Sequence, residues 1–262
     1  MKQIGELETG QDGGRDAPWS QVAGPLSFPV GRVDVWRLRL DHSSTAHPEA
    51  GVLSPGEIAR ASRFHFEKDR TRFLCCRSAL RCLLGDYLGV RAAELLFEYS
   101  TNGKPQLSPD QNPRALHFNL SHSGNIALIA VGTELSLGVD IEKIRHDVDA
   151  AALAERFFSP SERAGLRALP PHLRVPGFYA CWTRKEAFLK ATGSGLSFPL
   201  ADFSVTTHPD LPPHLEDVQG DSKACQRWFL TDLQAGIPYR ATLAQDRHSR
   251  LATLEMEMKR WR

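Results

Sequence analysis

The clearest alternation of apolar and polar positions in this chain runs from Leu137 to Lys143, with the sequence Leu-Gly-Val-Asp-Ile-Glu-Lys. Alternating, β-branched residues predict a half-buried strand, and side chains two positions apart on a strand share a face. Asp140 and Glu142 are therefore expected to point the same way, with Ile141 turned toward the core.

A helical pattern follows about forty residues later. Its Trp182, Glu186 and Lys190 recur at intervals of four, which places them on one face of a helix. Glu186 can then converge with Asp140 and Glu142 to give three carboxylates. Carboxylates plus waters suit Mg²⁺, which keeps several waters and prefers to complete its shell with substrate phosphates. The sequence therefore predicts a magnesium site at Asp140, Glu142 and Glu186 that serves phosphate chemistry.

Two matching segments indicate an internal repeat. Leu53–Glu57 (Leu-Ser-Pro-Gly-Glu) recurs 105 positions later as Phe158–Glu162 (Phe-Ser-Pro-Ser-Glu). Each segment combines an N-cap serine, a proline at the first helical position and a glutamate that closes a capping box, so each predicts a helix start. At an offset of 106, Val33–Trp36 corresponds to Val139–Glu142. These matches predict an α+β fold of two similar halves, each a small, mostly antiparallel sheet packed on a long helix.

We expect a flexible leader over residues 1–24, a first half over 25–136 and a second half over 137–262. Each half should begin with a strand, continue through a capped helix and a long helix, and finish in short strands. The closing strands are expected at Leu95–Tyr99, His117–Leu120, Ile126–Val131, Phe203–Thr206, Arg227–Thr231 and Pro238–Ala244.

Composition narrows the class of protein. The 262 residues carry a net charge of +1, so no overall field favours nucleic acid or a membrane surface. The chain has no run of the roughly 20 apolar residues that a transmembrane helix needs, and its polar start is unlike a signal peptide. Five cysteines without a C-x-x-C pair are typical of reduced thiols. We therefore expect a cytoplasmic protein that binds neither nucleic acid nor a membrane.

The first half replaces the acidic residues with basic ones. Trp36 takes the place of Glu142, and Arg81 falls opposite Glu186. An exposed helical surface would explain a basic stretch by itself. Opposite three carboxylates, a cradle for an anion is favoured, because arginine and lysine form charge-assisted hydrogen bonds with phosphate. The stretch contains Arg60, Arg63, Lys68, Arg70, Arg72, Arg77 and Arg81.

Three motifs in this order resemble a known family. Asn119–Ser123 (Asn-Leu-Ser-His-Ser) is followed by Gly138–Glu142 (Gly-Val-Asp-Ile-Glu) and by Trp182–Lys190, which matches W-x-x-K-E-[SA]-x-x-K. Together they resemble the 4′-phosphopantetheinyl transferases of the broad-specificity, surfactin-synthetase-activating type. The resemblance extends from about Ser54 to Val205. It implies a pseudo-twofold axis between the halves, with the ligand in the cleft between them.

The resemblance also implies the reaction. The 4′-phosphopantetheine group of coenzyme A is transferred to a serine of an acyl or peptidyl carrier protein, and adenosine 3′,5′-bisphosphate leaves. Coenzyme A is thus a substrate, and Mg²⁺, or Mn²⁺ as an alternative, is the metal. Glu186 is the first choice for the base that accepts the serine proton, directly or through a water, and Lys190 is the second. Because both halves of the site lie on one chain, we expect a monomer.

The residues that match the coenzyme-binding positions of the family are Arg60, Arg72, Lys104, Pro105, Ser121 and His122. The turn signal Asn102–Pro105 predicts that Lys104 lies at a loop tip. Glu57 departs from the family, since some relatives have a basic residue at this position near the coenzyme.

Two other functions fit parts of the pattern. A Mg²⁺-dependent nucleotide pyrophosphate hydrolase would need the same acidic site, but it would use water as the nucleophile and need no protein acceptor. A coenzyme A-binding relative without activity is the second alternative. The intact carboxylates and Lys190 argue against it, because metal ligands are expected to be lost early once catalysis is not selected.

Overall fold

A computed structural model describes residues 20–21, 26–40, 51–133, 136–195, 198–246 and 249–256. Its helices are α1 (Pro55–Ala61), α2 (Glu67–Leu88), α3 (Ala150–Phe157), α4 (Pro160–Ala168), α5 (Pro171–Thr192) and α6 (Ser222–Arg227). Its strands are β1 (Ser20–Gln21), β2 (Arg32–Arg39), β3 (Phe97–Tyr99), β4 (Pro105–Leu107), β5 (Leu116–Ser123), β6 (Ile126–Thr133), β7 (Leu137–Lys143), β8 (Phe203–Val205), β9 (Leu215–Val218), β10 (Phe229–Asp232), β11 (Tyr239–Gln245) and β12 (Arg250–Met256). This mixture of small sheets and helices confirms the α+β class.

The two predicted helix starts are confirmed. Ser54 caps α1 and Ser159 caps α4, and each forms a complete capping box with the glutamate three residues later. The long helices α2 and α5 both have 22 residues and both end at a glycine in the left-handed conformation, Gly89 and Gly193. A glycine favours this conformation because it has no Cβ to clash with the backbone.

Two sheets contain most of the strands. The larger has the order β1-β12-β2-β6-β5, and the smaller has the order β10-β11-β7. In both, the strand that begins the half (β2 or β7) pairs antiparallel with a later strand (β6 or β11), which in turn pairs antiparallel with the strand before it in the chain (β5 or β10). Two hairpins, β3–β4 and β8–β9, complete the strand pairing.

The larger sheet also takes strands from both ends of the chain. β12 pairs parallel with β2, although it follows all the strands of the smaller sheet. Ser20–Gln21, which fall in the expected leader, form β1 and pair parallel with β12. The rest of that leader lies outside the described residues. The sequence pattern did not predict either strand.

Three apolar clusters hold the layers together. One lies between α2 and the larger sheet, and a second surrounds α5. The third joins the two sheets through Val33 and Val35 of β2, Val139 and Ile141 of β7, and Leu243 of β11, all fully buried. Burial of one such side chain stabilises the fold by about 1.5–3 kcal/mol. Ile141 therefore faces the core as predicted, and the adjacent acidic side chains face away from it.

Within the part of the chain that the structure describes, no helix combines the length and the apolar character needed to cross a membrane.

Candidate active site

A close contact between β7 and α5 sets the geometry of the site. A Cβ atom on Gly138 would lie 2.3 Å from the carbonyl oxygen of Ala187 and 2.3 Å from the nitrogen of Ala191. Only glycine therefore lets the helix backbone rest directly on the strand. This contact carries Glu186 and Lys190 to the face of β7 that presents Asp140.

Asp140 is the most buried acid of the predicted metal set, with 3% of its surface exposed. Its Oδ1 accepts hydrogen bonds from Ser121 Oγ at 2.9 Å and from Lys190 Nζ at 2.6 Å. Its Oδ2 is buried without a hydrogen-bond partner among the described residues. A buried carboxylate oxygen without a partner is costly, so this atom is suited to a ligand that supplies positive charge.

Glu142 and Glu186 complete what we call the acidic cluster, together with Asp140. Burial, and then the charge of Asp140, raise the pKa of both glutamates, while Lys190 lowers the two pKa values. Ser123 donates to Glu142 Oε2 at 2.8 Å and also favours its charged form. One buried and two half-buried carboxylates that repel one another fit a divalent cation, which would relieve the repulsion.

As the side chains stand, no three histidine, cysteine, aspartate or glutamate residues of the described ranges form a complete metal site. Lys190 and Ser123 hold one oxygen each of Asp140 and Glu142. The fit to a cation thus depends on the mutual repulsion of the carboxylates and on the unpaired Oδ2 of Asp140.

A basic cluster of Arg72, His122 and Lys190 lies beside the acidic one. Burial, and then the positive charges of Lys190 and Arg72, lower the pKa of His122, whereas Asp69 raises it. Arg72 Nη2 donates to Asn125 Oδ1 at 2.8 Å, and Arg72 Nη1 lies 3.6 Å from Asp69 Oδ1. Because Lys190 and Arg72 both act on His122, the three basic side chains lie close together, and the two charged ones favour an anion there. Lys190 joins the two clusters through its hydrogen bond with Asp140.

Arg60 lines a cavity of about 770 Å³ between α1 and β3. Its guanidinium lies 5.5 Å from the centre of the Phe73 ring, and Arg63, Phe97 and Tyr99 also line the cavity. Aromatic walls and basic groups in a volume of this size suit a charged ligand with a flat ring.

Two arginines of the predicted anion cradle pair with a carboxylate of the protein itself. Arg77 Nε donates to Glu57 Oε1 at 2.8 Å, and Arg81 Nε donates to Glu57 Oε2 at 2.7 Å. Burial by itself would raise the pKa of Glu57, but the backbone of Ser54 and the two arginines lower it below its ordinary value. The glutamate that departs from the family pattern is therefore a buried partner for cations of α2.

Lys104 lies at the expected turn, but its ammonium reaches the second half of the chain. Its Nζ donates to the carbonyl oxygen of Lys190 at 2.6 Å and to that of Leu137 at 3.1 Å. Burial lowers its pKa to about 8. Asn102 of the same turn donates to the Gly193 carbonyl at 2.8 Å, so the turn links the halves rather than ending free in solvent. Pro105, next along the chain, pairs with Tyr99 across the hairpin.

The motif of α5 also contains a residue whose role the sequence did not reveal. Lys185, adjacent to Glu186, has no exposed surface, and its Nζ donates to Glu162 at 2.6 and 2.8 Å. The sequence signal that could have indicated this pair is the capping-box glutamate, Glu162, which lies 23 positions before Lys185. Trp182 packs against Phe157 and Phe178, so it helps to fix α5 in place.

Comparisons with known proteins cover both halves. Residues 136–244 match the model of the 4′-phosphopantetheinyl transferase superfamily, and residues 43–134 match that of the 4′-phosphopantetheinyl transferase N-terminal region. The 4′-phosphopantetheinyl transferase HetI of Nostoc sp. is 42% identical over 199 residues, which cover 76% of this chain and 84% of that protein. A phosphopantetheinyl transferase of Thraustochytrium sp. is 34% identical over 73% of this chain and 72% of its own length. The 4′-phosphopantetheinyl transferase Sfp of Bacillus subtilis is 35% identical over 60% of this chain and 68% of its own length.

These matches extend over the strands and helices that build the acidic and basic clusters, and they confirm the resemblance that the three motifs indicated. The chain belongs to the 4′-phosphopantetheinyl transferases, of the type that includes Sfp, and is an enzyme that transfers phosphopantetheine from coenzyme A to a carrier protein.

Proposed function

We propose that transfer takes place where the acidic and basic clusters meet, with Mg²⁺ held by Asp140, Glu142 and Glu186. The observation that carries this proposal is the buried Oδ2 of Asp140, which lacks a hydrogen-bond partner among the described residues. The raised pKa of both neighbouring glutamates supports it, because a cation would stabilise their charged forms. Mn²⁺, which accepts the same oxygen ligands, is the alternative metal.

The phosphate groups of coenzyme A are expected to lie against the basic cluster. Arg72, His122 and Lys190 would hold the oxygens of the pyrophosphate, and a bound cation would neutralise the charge that develops on the leaving group. Lys190 is placed to contact the pyrophosphate beside the cation, because it donates to Asp140 and lies at the border of both clusters. The nucleophile is the serine of the carrier protein.

Glu186 is our proposed base for the proton of that serine. Its half-buried carboxylate lies one helical turn from Lys190, which contacts Asp140, so it could accept the proton directly or through a water. Lys190 is less suited to the task, because its Nζ donates hydrogen bonds to both Asp140 and Ser121. We therefore assign Lys190 to the phosphate and Glu186 to the proton.

The remaining coenzyme-binding residues fall into two groups. Arg60 lines the cavity beside α1, which has room for a nucleotide, and we propose that it contacts that end of coenzyme A. Lys104 and Ser121 already hold groups of the second half, so their contribution to binding would be to shape the cleft. Pro105 would support the same wall of the cleft from β4.

We also propose that the halves, residues 25–136 and 137–262, are related by duplication about a pseudo-twofold axis. The shared order of three strands (β2-β6-β5 in the larger sheet and β7-β11-β10 in the smaller), the two capping boxes and the two 22-residue helices support this proposal. Because one chain then carries both clusters, a monomer is sufficient for activity. The five free cysteines support a cytoplasmic location.

The decisive experiment is intact-protein mass spectrometry of an apo acyl or peptidyl carrier protein incubated with this protein, coenzyme A and Mg²⁺. The expected result is a gain of one phosphopantetheine group that disappears when EDTA is added. A gain that persists in EDTA would refute the metal proposal. Release of nucleotide without modification of the carrier would instead support the hydrolase. Binding of coenzyme A with no product from several carrier types would support the inactive relative.

A further inference from the structure

One edge strand of each main sheet lies directly beside the other. β5 lies at one edge of the larger sheet, and β7 lies at one edge of the smaller sheet. An edge strand exposes backbone N–H groups that need acceptors when they are buried. β7 pairs with β11 on one side, so the N–H groups on its other side point toward β5.

Side chains of β5, rather than its backbone, accept these hydrogen bonds. Asn119 Oδ1 accepts from the backbone nitrogen of Val139 at 2.8 Å. Ser123 Oγ accepts from that of Lys143 at 3.0 Å. Between them, Ser121 Oγ accepts from the nitrogen of Ile141 at 3.4 Å, a longer contact. Every acceptor lies 20 positions before its donor, so the contacts form a regular ladder along both strands.

The two serines make a second contact that the asparagine does not. Ser121 donates to Asp140 at 2.9 Å, and Ser123 donates to Glu142 at 2.8 Å. A hydroxyl has one donor and two acceptor positions, so a single serine can hold a backbone N–H and orient a carboxylate together. Asn119 serves only the backbone, which makes it a natural control for the two serines.

We propose that Asn119, Ser121 and Ser123 form a side-chain seam that joins the two sheets, and that Ser123 is a positioning residue that orients Glu142 toward the cation. The first part depends only on the hydrogen bonds between β5 and β7. The second rests on the proposed function, in which Glu142 is a metal ligand. This orientation of Glu142 matters, because removing a group that supports a metal ligand typically lowers metal affinity or activity by about 10–100-fold.

Amide hydrogen exchange measured by NMR tests the seam without any metal or substrate. In Ser123→Ala, the amide of Lys143 should exchange about tenfold faster than in the wild type, because it loses its acceptor. The amide of Val139 should be unchanged. In Asn119→Ala, the amide of Val139 should exchange faster and the amide of Lys143 should be unchanged. Ser123→Thr keeps the hydroxyl and should restore slow exchange at Lys143. Equal exchange at Lys143 in Ser123→Ala and the wild type would overturn the seam.

Binding of Mn²⁺ in the presence of coenzyme A, followed by electron paramagnetic resonance, tests the positioning role. Ser123→Ala should weaken Mn²⁺ binding about tenfold, and Ser123→Thr should bind like the wild type. Asn119→Ala should stay within about twofold, since its side chain does not touch a carboxylate. Equal Mn²⁺ affinity in Ser123→Ala and the wild type would overturn the positioning role.

A separate variant distinguishes failure of this inference from failure of the proposed function. Glu142→Ala should lose most of the Mn²⁺ affinity if Glu142 is a ligand. Normal Mn²⁺ binding and normal transfer in Glu142→Ala would refute the metal assignment and, with it, the positioning role. The exchange rates at Val139 and Lys143 would still decide the seam. Because Ser123 is partly exposed, its variants are expected to fold.

Discussion

Glu57 and Glu162 lie, like the acidic cluster, buried against a 22-residue helix, but their charges are balanced in a different way. Glu57 accepts from Arg77 and Arg81, and both oxygens of Glu162 accept from Lys185. In the acidic cluster, by contrast, three carboxylates share the charge of Lys190. The charges of the capping glutamates are thus neutralised by neighbouring side chains, whereas the acidic cluster keeps negative charge that a cation could neutralise.

The pKa values of the carboxyl groups in the two regions shift in opposite directions. The two arginines and the backbone of Ser54 lower the pKa of Glu57 despite its burial. Burial and like charges raise the pKa of Glu142 and Glu186. Neighbours therefore stabilise the charged form in one region and destabilise it in the other. A buried carboxylate indicates a ligand site only when the protein leaves its charge uncompensated.

The largest expected effect comes from removing a carboxylate of the acidic cluster. Asp140→Ala or Glu186→Ala should reduce transfer by about a thousandfold or more, because the charge of the leaving group is no longer neutralised. The free energy of unfolding should change little, since each variant also removes repulsion. Mass spectrometry of the carrier protein and urea unfolding measure the two quantities. Wild-type turnover in either variant would refute the metal assignment.

Removing a capping glutamate should have the opposite profile. Glu162→Ala leaves Lys185 buried without its partner and should lower the free energy of unfolding by about 3–5 kcal/mol. The folded fraction should keep its transfer activity. Urea unfolding provides the measurement, and a double variant, Glu162→Leu with Lys185→Met, provides the control. The double variant should recover much of the stability, because no unpaired charge remains. A double variant as unstable as Glu162→Ala would contradict this explanation.

The basic cluster should affect binding more than chemistry. Arg72→Ala or His122→Ala should raise the KM for coenzyme A about tenfold, since each variant loses a charge-assisted contact with phosphate. The kcat should change less. Arg70→Ala is a matched control, because Arg70 lies on the same helix and its exposed side chain pairs with Glu67. Steady-state kinetics at saturating carrier protein gives both constants, and an unchanged KM in both cluster variants would contradict the assignment.

The smallest effect is expected in the pH dependence of stability. The pKa of Glu57 is lowered below its ordinary value of 4.5, so its charged form stabilises the fold above that pH. This contribution is lost as the pH falls through the lowered pKa. The stability difference between the wild type and Glu57→Gln should therefore shrink as the pH falls below 4.5. Chemical unfolding at several pH values measures it, and a difference that grows toward low pH would contradict the pairing.

Local rules made several elements predictable. Ser54 and Ser159 begin helices because their side chains cap backbone N–H groups within the same turn. Gly193 ends α5 because it tolerates a positive φ. The alternation of β7 placed Ile141 in the core and Asp140 on the opposite face. Each of these features depends on residues no more than a few positions apart, so the sequence displays them directly.

Partners distant in sequence were not predictable in this way. Lys104 matched a coenzyme-binding position, but the fold placed its ammonium on carbonyl groups of the second half. Arg77 and Arg81 belonged to a basic stretch, but the packing of α1 on α2 gave them Glu57 as a partner. The pattern also gave no indication that β12 adds to the larger sheet.

The sequence by itself determined the family, the acids of the proposed metal site and the positions of the caps, because motifs and local propensities depend on neighbouring residues. The tertiary structure decided which charges are neutralised. It gave Glu162 a lysine, left Asp140 Oδ2 without a hydrogen-bond partner among the described residues, and aligned Ser123 with Glu142. The physical reason is that burial and long-range contacts, rather than residue type, set the balance of charge around a carboxylate.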